Sequence, residues 1–312
     1  MSERRLLVTG ANGQVGRELL RRAAGHSIAA TGLDRQQLDI SDRAAVTAAV
    51  EGQGFAAVIN AAAYTAVDKA ESESERASAV NRDGPAHLAA VCAQEGVPLL
   101  HISTDYVFDG SKTGPYTEDD PVSPLGVYGA SKEAGERAVR TTCPRHIILR
   151  TAWVYGAHGH NFVKTILRLA GERDELNVVA DQHGCPTAAA DIADALLDIT
   201  RQVTGPVAQQ PPWGTYHYSG TGATTWHGFA EAIIIEAARH GGRKIPVHPV
   251  TTADYPTPAR RPVNSVLDCS RIQRVFGISP RPWREALREV IHELHNAGLS
   301  RTPSRCKDDN KG

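Results

Sequence analysis

The apolar run Arg5-Leu6-Leu7-Val8-Thr9 passes at once into Gly10-Ala11-Asn12-Gly13-Gln14-Val15-Gly16 and then into the helix-forming stretch Arg17-Glu18-Leu19-Leu20-Arg21-Arg22-Ala23-Ala24. A strand that turns on glycines into a helix admits few folds. Such a turn lets backbone approach an anion, whose charge sits against the unpaired amide N–H groups at the positive end of the helix. The spacing G-x-x-G-x-x-G is one residue longer than the usual dinucleotide fingerprint, so the strand-to-helix context carries the argument for a bound dinucleotide. The next strand, about His26 to Leu33, ends at Asp34-Arg35. An acidic residue there accepts hydrogen bonds from an adenosine ribose, and an arginine pairs with a 2'-phosphate. NADH and NADPH both stay open, with Arg35 favouring NADPH, and Asp39-Ile40 are spaced to reach the adenine edge.

Short apolar strands then alternate with helical stretches: Ala56 to Asn60, a helix over about Ser74 to Glu95, Pro98 to Ser103, a helix beginning near Tyr128, and His146 to Arg150. Alternation of this kind predicts an α/β fold with a Rossmann-type, doubly wound parallel sheet, whose ligands gather at the carboxyl ends of the strands. The loops expected on that edge are Asn60-Ala61-Ala62-Ala63-Tyr64 with Thr65, Ser103-Thr104-Asp105, and Thr151-Ala152-Trp153. Beyond about residue 156 the strands shorten and proline increases. This predicts a dinucleotide-binding domain over 1–155, to which later segments can return, and a smaller α/β substrate lobe over 156–298. No linker composition separates them, which places the active site between them. The polar tail, 299–312, is expected to be disordered.

Composition narrows the ligand. Lys and Arg number 34 against 35 for Asp and Glu, so no basic field exists to hold nucleic acid or an anionic membrane, and a small-molecule substrate is expected. The five cysteines have no metal-ligand spacing, His158-Gly159-His160 lacks a nearby carboxylate or thiol and reads as a loop, and no spanning segment is evident. A reducing cytoplasm fits that cysteine usage.

Tyr128 and Lys132, in Val127-Tyr128-Gly129-Ala130-Ser131-Lys132, share one helical face. A phenol with an ordinary pKa of about 10 exchanges protons poorly at neutral pH, and an ammonium beside it is expected to bring that value down. Arg260-Arg261, after a proline-rich turn, offers planar donors suited to a diphosphate.

Gly10/Gly13/Gly16, Asn60-Ala61-Ala62-Ala63, Ser103-Thr104-Asp105-Tyr106-Val107-Phe108 and Tyr128-x-x-x-Lys132 together resemble the extended short-chain dehydrogenase/reductases. Ala66-Val67-Asp68-Lys69-Ala70-Glu71, Arg150 to Tyr155, Asp181-Gln182-His183-Gly184-Cys185-Pro186-Thr187 and Tyr255 to Pro262 narrow that resemblance, over about residues 5 to 296, to the dTDP-4-dehydrorhamnose reductase family. The resemblance implies reduction of the C4 ketone of a dTDP-4-dehydro-6-deoxy sugar by NADPH, or NADH, with Tyr128 as proton donor, Lys132 tuning it and gripping the nicotinamide ribose, and Thr104 orienting the ketone oxygen. It implies cofactor contacts from Gly10, Gly13, Gln14, Val15, Gly16, Asp34, Arg35, Asp39, Ile40, Ala62, Ala63, Tyr64, Thr65 and Ser103 as well as from the Tyr/Lys pair. The dTDP-sugar falls to Val67, Thr104, Asp105, Tyr128, Trp153, Arg260 and Arg261. Related 4-epimerases and 4,6-dehydratases share the Tyr/Lys pair, and a dehydratase carries glutamate where this chain has Tyr106; the fold also serves as a non-catalytic NADP-binding subunit, which loss of Tyr128 or Lys132 would suggest, and neither is lost. Some relatives dimerise through magnesium held by acidic side chains. Glu18 and Glu293 match two of those positions, but the third is Ala190, so no metal is assigned and a homodimer stays open.

Overall fold

The computed structural model describes residues 5–205 and 212–298, and the expected disorder of the tail lies outside the described residues. The first half runs β1 (Arg5–Thr9), α1 (Gln14–Arg22), β2 (Ala29–Leu33), α2 (Arg43–Val50), β3 (Ala57–Asn60), α3 (Val67–Ala70), α4 (Ser74–Ser78), α5 (Gly84–Glu95), β4 (Leu99–Thr104), α6 (Val127–Thr142) and β5 (His146–Thr151). The second half adds β6 (Val154–Tyr155), α7 (Phe162–Glu172), β7 (Leu176–Val179), β8 (His183–Gly184), β9 (Thr187–Ala188), α8 (Ala189–Val203), β10 (Gly214–His217), β11 (Thr224–Thr225), α9 (Trp226–Ala238), β12 (Val247–Val250), α10 (Ser270–Phe276) and α11 (Trp283–Asn296).

Six strands form one parallel sheet in the order β10-β5-β4-β3-β1-β2. Strand periodicity builds its two layers. Leu6 and Val8 of β1 and Ile147 and Leu149 of β5 face a core shared with α1 and α8, whereas Leu7 and Ile148 face one shared with α2 and α5. The strand and helix segments expected from the sequence are present, but the stretch from Ser74 to Glu95 is interrupted by a π-helical segment, Ala79–Asp83. Segments beyond residue 155 return to the sheet: β10 pairs with β5, and Ile192, Leu196, Tyr216 and Phe276 are buried in the β1 layer. A separate core of Tyr155, Ile166, Phe229, Ile233, Trp283 and Leu287 fills the smaller α/β lobe.

Helix starts follow local chemistry. Asp42 caps α2 by accepting from Ala44 N and Ala45 N at 2.9 and 3.1 Å, and Asn161 caps α7 through Lys164 N at 3.1 Å. The catalytic helix candidate, α6, is locked to β5 by a buried ion pair, with Arg150 Nη2 donating to Glu136 Oε2 at 2.7 Å. Burial alone would raise the Glu136 pKa, but the Arg150 guanidinium outweighs it and holds the carboxyl below its usual value. Removing one partner of such a pair costs ~3–5 kcal/mol.

Candidate active site

Strand order reverses at β1, and the loops leaving β1 and β3 meet there. Gly10, at φ +71, lies so close to the second loop that a Cβ would stand 2.6 Å from Ala62 N, and at Gly16 a Cβ would stand 2.2 Å from Gly10 O. Any side chain would therefore force the turn and α1 apart. Gly13 is the extended N-cap of α1 and no side chain caps the helix, so its leading amides remain available to an anion. These features fit a dinucleotide pyrophosphate. At the start of α1 the half-buried Gln14 side chain accepts from Asn161 Nδ2 at 3.0 Å through Oε1, and Val15 is buried in the core.

The residues expected at the adenosine end are held unequally. Asp34 is committed to its own loop, accepting from Gln36 N (2.9 Å), Gln37 N (3.1 Å) and Asn12 Nδ2 (2.5 Å). Arg35 is exposed, with Asp39 at 3.8 Å as a distant partner. Asp39 accepts from Ser41 Oγ and N at 2.6 and 3.0 Å, which holds its pKa below the usual carboxylate value. The Ile40 side chain turns into the core, leaving its backbone to face the adenine edge expected of it. It is 2% exposed and fills the space over Gly84, where a Cβ would lie 2.5 Å from Ile40 Cδ1.

The loop Ala61 to Ala66 is stitched to α6 by Asn81, which sequence reasoning missed. Asn81 Oδ1 accepts from Tyr64 N at 2.8 Å, and Nδ2 donates to Tyr64 O at 3.0 Å and to Ser131 Oγ at 3.1 Å. Its one local signal is the π segment that carries it, a deformation found often at functional sites. Ala62, Ala63 and Tyr64 are half-buried, Thr65 is exposed, and Tyr64 Oη donates to Glu73 Oε2 at 3.0 Å.

Thr104 ends β4 beside Tyr128. Its hydroxyl donates to Asp105 Oδ1 at 2.9 Å, accepts from Tyr106 N at 3.2 Å, and lies within hydrogen-bonding reach of the Tyr128 phenol. Ser103 and Asp105 are both buried, at 3% and 2% exposure. Asp105 therefore stands behind Thr104, and burial pushes its carboxyl up to about 6. Tyr106 packs edge-on against Tyr128, ring centroids 5.5 Å apart.

The expected direction of the Tyr128 shift is also corrected. Burial pushes the phenol up to about 12, the Thr104 hydrogen bond opposing and the Asp105 charge adding to it. Lys132 does not reverse this, because its Nζ donates to Ile102 O at 2.7 Å and faces His101 Nε2 at 3.4 Å. Burial lowers Lys132 to about 8.

Trp153 adopts a left-handed backbone, φ 47, rare for a bulky residue and costing about 1–3 kcal/mol. Its indole stacks on Trp226, centroids 3.6 Å apart and planes within 7°, and lies on Gly184. The glycine of Asp181 to Thr187 is thus explained by the ring above it, and Trp226 joins the site as a residue the sequence did not single out. Val67, half-buried, opens α3.

The paired arginines separate. Arg261 grips Asp68 with two bonds, Nη2 to Oδ2 at 2.9 Å and Nη1 to Oδ1 at 3.1 Å, and thereby holds the Asp68 carboxyl below its usual value. Arg260 is exposed and has no hydrogen bond or ion pair with the described residues. Glu18, one residue of the acidic set, accepts from Arg21 and Arg22 at 2.6 and 3.0 Å, while Asp191 is held by Arg281 at 2.8 Å. Among the described residues no three His, Cys, Asp or Glu side chains are grouped to hold a metal ion, and no helix is long and apolar enough to cross a membrane.

Residues 4–296 match the family model described as the RmlD substrate binding domain. The dTDP-4-dehydrorhamnose reductase of Sinorhizobium fredii is 47% identical over 290 residues, covering 93% of this chain and 97% of the relative. The crystal structure of a dTDP-4-dehydrorhamnose reductase from Clostridium acetobutylicum superposes with a TM-score of 0.86 at 40% identity, over 93% of this chain and 99% of that one. The Bacillus anthracis reductase, solved in complex with NADP, also gives 0.86, at 36% identity and the same coverage. By sequence and fold, the chain belongs to the dTDP-4-dehydrorhamnose reductase family.

Proposed function

We propose that this chain reduces the C4 ketone of dTDP-4-dehydro-6-deoxy-L-mannose to dTDP-L-rhamnose with NADPH, NADH serving less well, and that Tyr128 donates the proton. The observation that carries this is the convergence of the Thr104 hydroxyl and the Tyr128 phenol at the carboxyl end of β4. The glycine turn and uncapped start of α1 would hold the pyrophosphate, and Arg35, exposed with Asp39 3.8 Å away while Asp34 is engaged by its loop, suits a 2'-phosphate. When bound, the reduced nicotinamide supplies a hydride. A phenol raised to about 12 is fully protonated at neutral pH, which is the state a donor needs when the substrate oxygen gains charge. With substrate in place, Thr104 would turn its one hydroxyl proton from Asp105 to that oxygen, still accepting from Tyr106 N. Trp153, backed by Trp226, gives the sugar a flat wall with one polar handle. Arg260 is the arm for the diphosphate, while Arg261 holds the turn against α3 through Asp68, beside Val67. The half beyond residue 155 supplies the sugar side of the cleft. Free thiols at Cys92, Cys143, Cys185 and Cys269 suit a cytoplasmic setting.

The test mixes purified protein with NADPH or NADH and enzymatically generated dTDP-4-dehydro-L-rhamnose, follows coenzyme absorbance, and identifies the sugar formed. Loss of absorbance with dTDP-L-rhamnose as product is expected. Tyr128→Phe should retain coenzyme binding and lose about 10²-fold or more in turnover. Unchanged coenzyme, or isomerised sugar with no net oxidation, would overturn the reductase proposal, and near-normal turnover of Tyr128→Phe would overturn the proton donor.

A further inference from the structure

Lys132 sits at the end of a buried array whose hydrogen-bond directions follow from one backbone amide. Ala62 N lies 3.1 Å from a side-chain atom of Asn60, and a backbone N–H only donates, so that atom is Oδ1; the Thr9 hydroxyl donates to it as well, at 2.7 Å. The Asn60 amide is thereby oriented with Nδ2 toward His101 Nδ1, 3.0 Å away. An NH₂ group also only donates. His101 Nδ1 is therefore the bare nitrogen, and the one proton of a neutral ring sits on Nε2. The ring is neutral because it lies on β4 between β3 and β5 with no exposed surface, where burial and the neighbouring Lys132 hold its pKa well below the usual value.

Nε2 faces Lys132 Nζ at 3.4 Å. An ammonium would meet that N–H donor to donor. A neutral amine removes the conflict, accepting from Nε2–H while still donating to Ile102 O at 2.7 Å. We propose that His101 is a positioning residue for the active site: held in its Nε2–H form by Asn60, it anchors Lys132 on β4 and lowers the pH at which Lys132 gives up its proton. The inference rests on the Tyr128/Lys132 assignment above. The other groups around Nζ do not cancel the effect. Tyr128, on the same helix, stays neutral, and the Glu136 carboxylate, which favours the ammonium, is drawn off by Arg150 from β5 and by Arg140. The depressed Lys132 value of about 8, set first by burial, has the sign this arrangement requires.

Long-range ¹H–¹⁵N spectra of the intact protein read the His101 tautomer directly. The ¹³Cε shift in lysine-labelled protein, assigned with Lys132→Met, reads the Lys132 titration. Expected are a proton on Nε2 alone and a Lys132 that titrates below the other lysines. A proton on Nδ1, or on both nitrogens, in the wild type overturns the inference without any variant. Asn60→Asp still accepts from Ala62 N but takes Nδ1–H from the ring, turning bare Nε2 toward Lys132, whose titration should rise by about one unit or more. Because that variant adds a charge, Asn60→Leu, which adds none, should move Lys132 the same way by a smaller step. A shift in the aspartate variant alone overturns the tautomer argument. A Lys132 resonance that moves while the pH profile of kcat/KM stays put supports the His101 pairing and counts instead against a proton role for the Tyr128/Lys132 pair.

Discussion

Adding one methyl group at Gly184 tests the sugar wall proposed for Trp153. A Cβ there would stand 2.4 Å from Trp153 Cε2, 2.6 Å from Nε1 and 2.7 Å from Cζ2, against ~3.5–4.0 Å for unstrained carbon contacts. The indole must retreat by roughly 1 Å or more. It has little room, because it is stacked on Trp226 at 3.6 Å and Trp226 is packed by Phe162 at 4.7 Å, while the Trp153 backbone is already held at φ 47. Overpacking of this kind costs ~1–3 kcal/mol of stability, and a displacement of about 1 Å in a positioning group costs up to 10²-fold in rate. We expect Gly184→Ala to lose about 10- to 100-fold in kcat/KM for the dTDP-sugar while NADPH affinity, measured by fluorescence titration, stays the same. The stacked indoles should give an exciton couplet in circular dichroism, and the variant should weaken it. A weakened couplet with wild-type kcat/KM would show that Trp153 does not wall the substrate. An unchanged couplet and melting temperature would refute the packing argument itself.

The Asp68–Arg261 pair should behave as one unit in a double-mutant cycle: Asp68→Asn and Arg261→Gln each raise KM for the sugar nucleotide, with a coupling of about 1 kcal/mol given the pair's partial exposure, whereas additive effects would show that the pair does not hold the turn. Arg260→Ala should weaken dTDP binding by about tenfold or more, the scale of a lost charge-assisted hydrogen bond; calorimetry showing wild-type affinity removes Arg260 from the phosphate site. His217 is held at about 3, by burial first and by the Arg150 charge, with Nδ1 donating to Tyr116 O at 3.1 Å. Its folded pKa lies below the unfolded value of about 6.5, so the unfolded state gains the proton first; the stability it contributes is complete above that value and is lost as pH falls toward 3. Urea titrations across that window should show a shallower acid slope in His217→Phe, and an unchanged slope would show that other groups set it.

Much of the fold was legible because its signals are local. The glycine turn after β1, the alternation of strand and helix, and Tyr128 one helical turn before Lys132 are each written within a few residues. For the candidate site, the sequence offered the residues and not their hydrogen-bond partners. Arg260 and Arg261 read as equivalent in sequence, but Arg261 reaches Asp68 across 193 positions while Arg260 stays exposed. Asp34 and Arg35 likewise read as rivals until the loop hydrogen bonds engaged one of them.

The sequence alone determined the sheet, the glycine turn and the placing of Tyr128 and Lys132 on one helical face, because backbone periodicity and helical spacing act between near neighbours. The tertiary structure decided what those groups experience. Burial set the direction of the Tyr128 shift, Ile102 and His101 took up Lys132, and Trp226 and Gly184 oriented Trp153. Desolvation and hydrogen-bond partnership depend on what the folded chain brings within a few ångströms, and residues distant in sequence supply it.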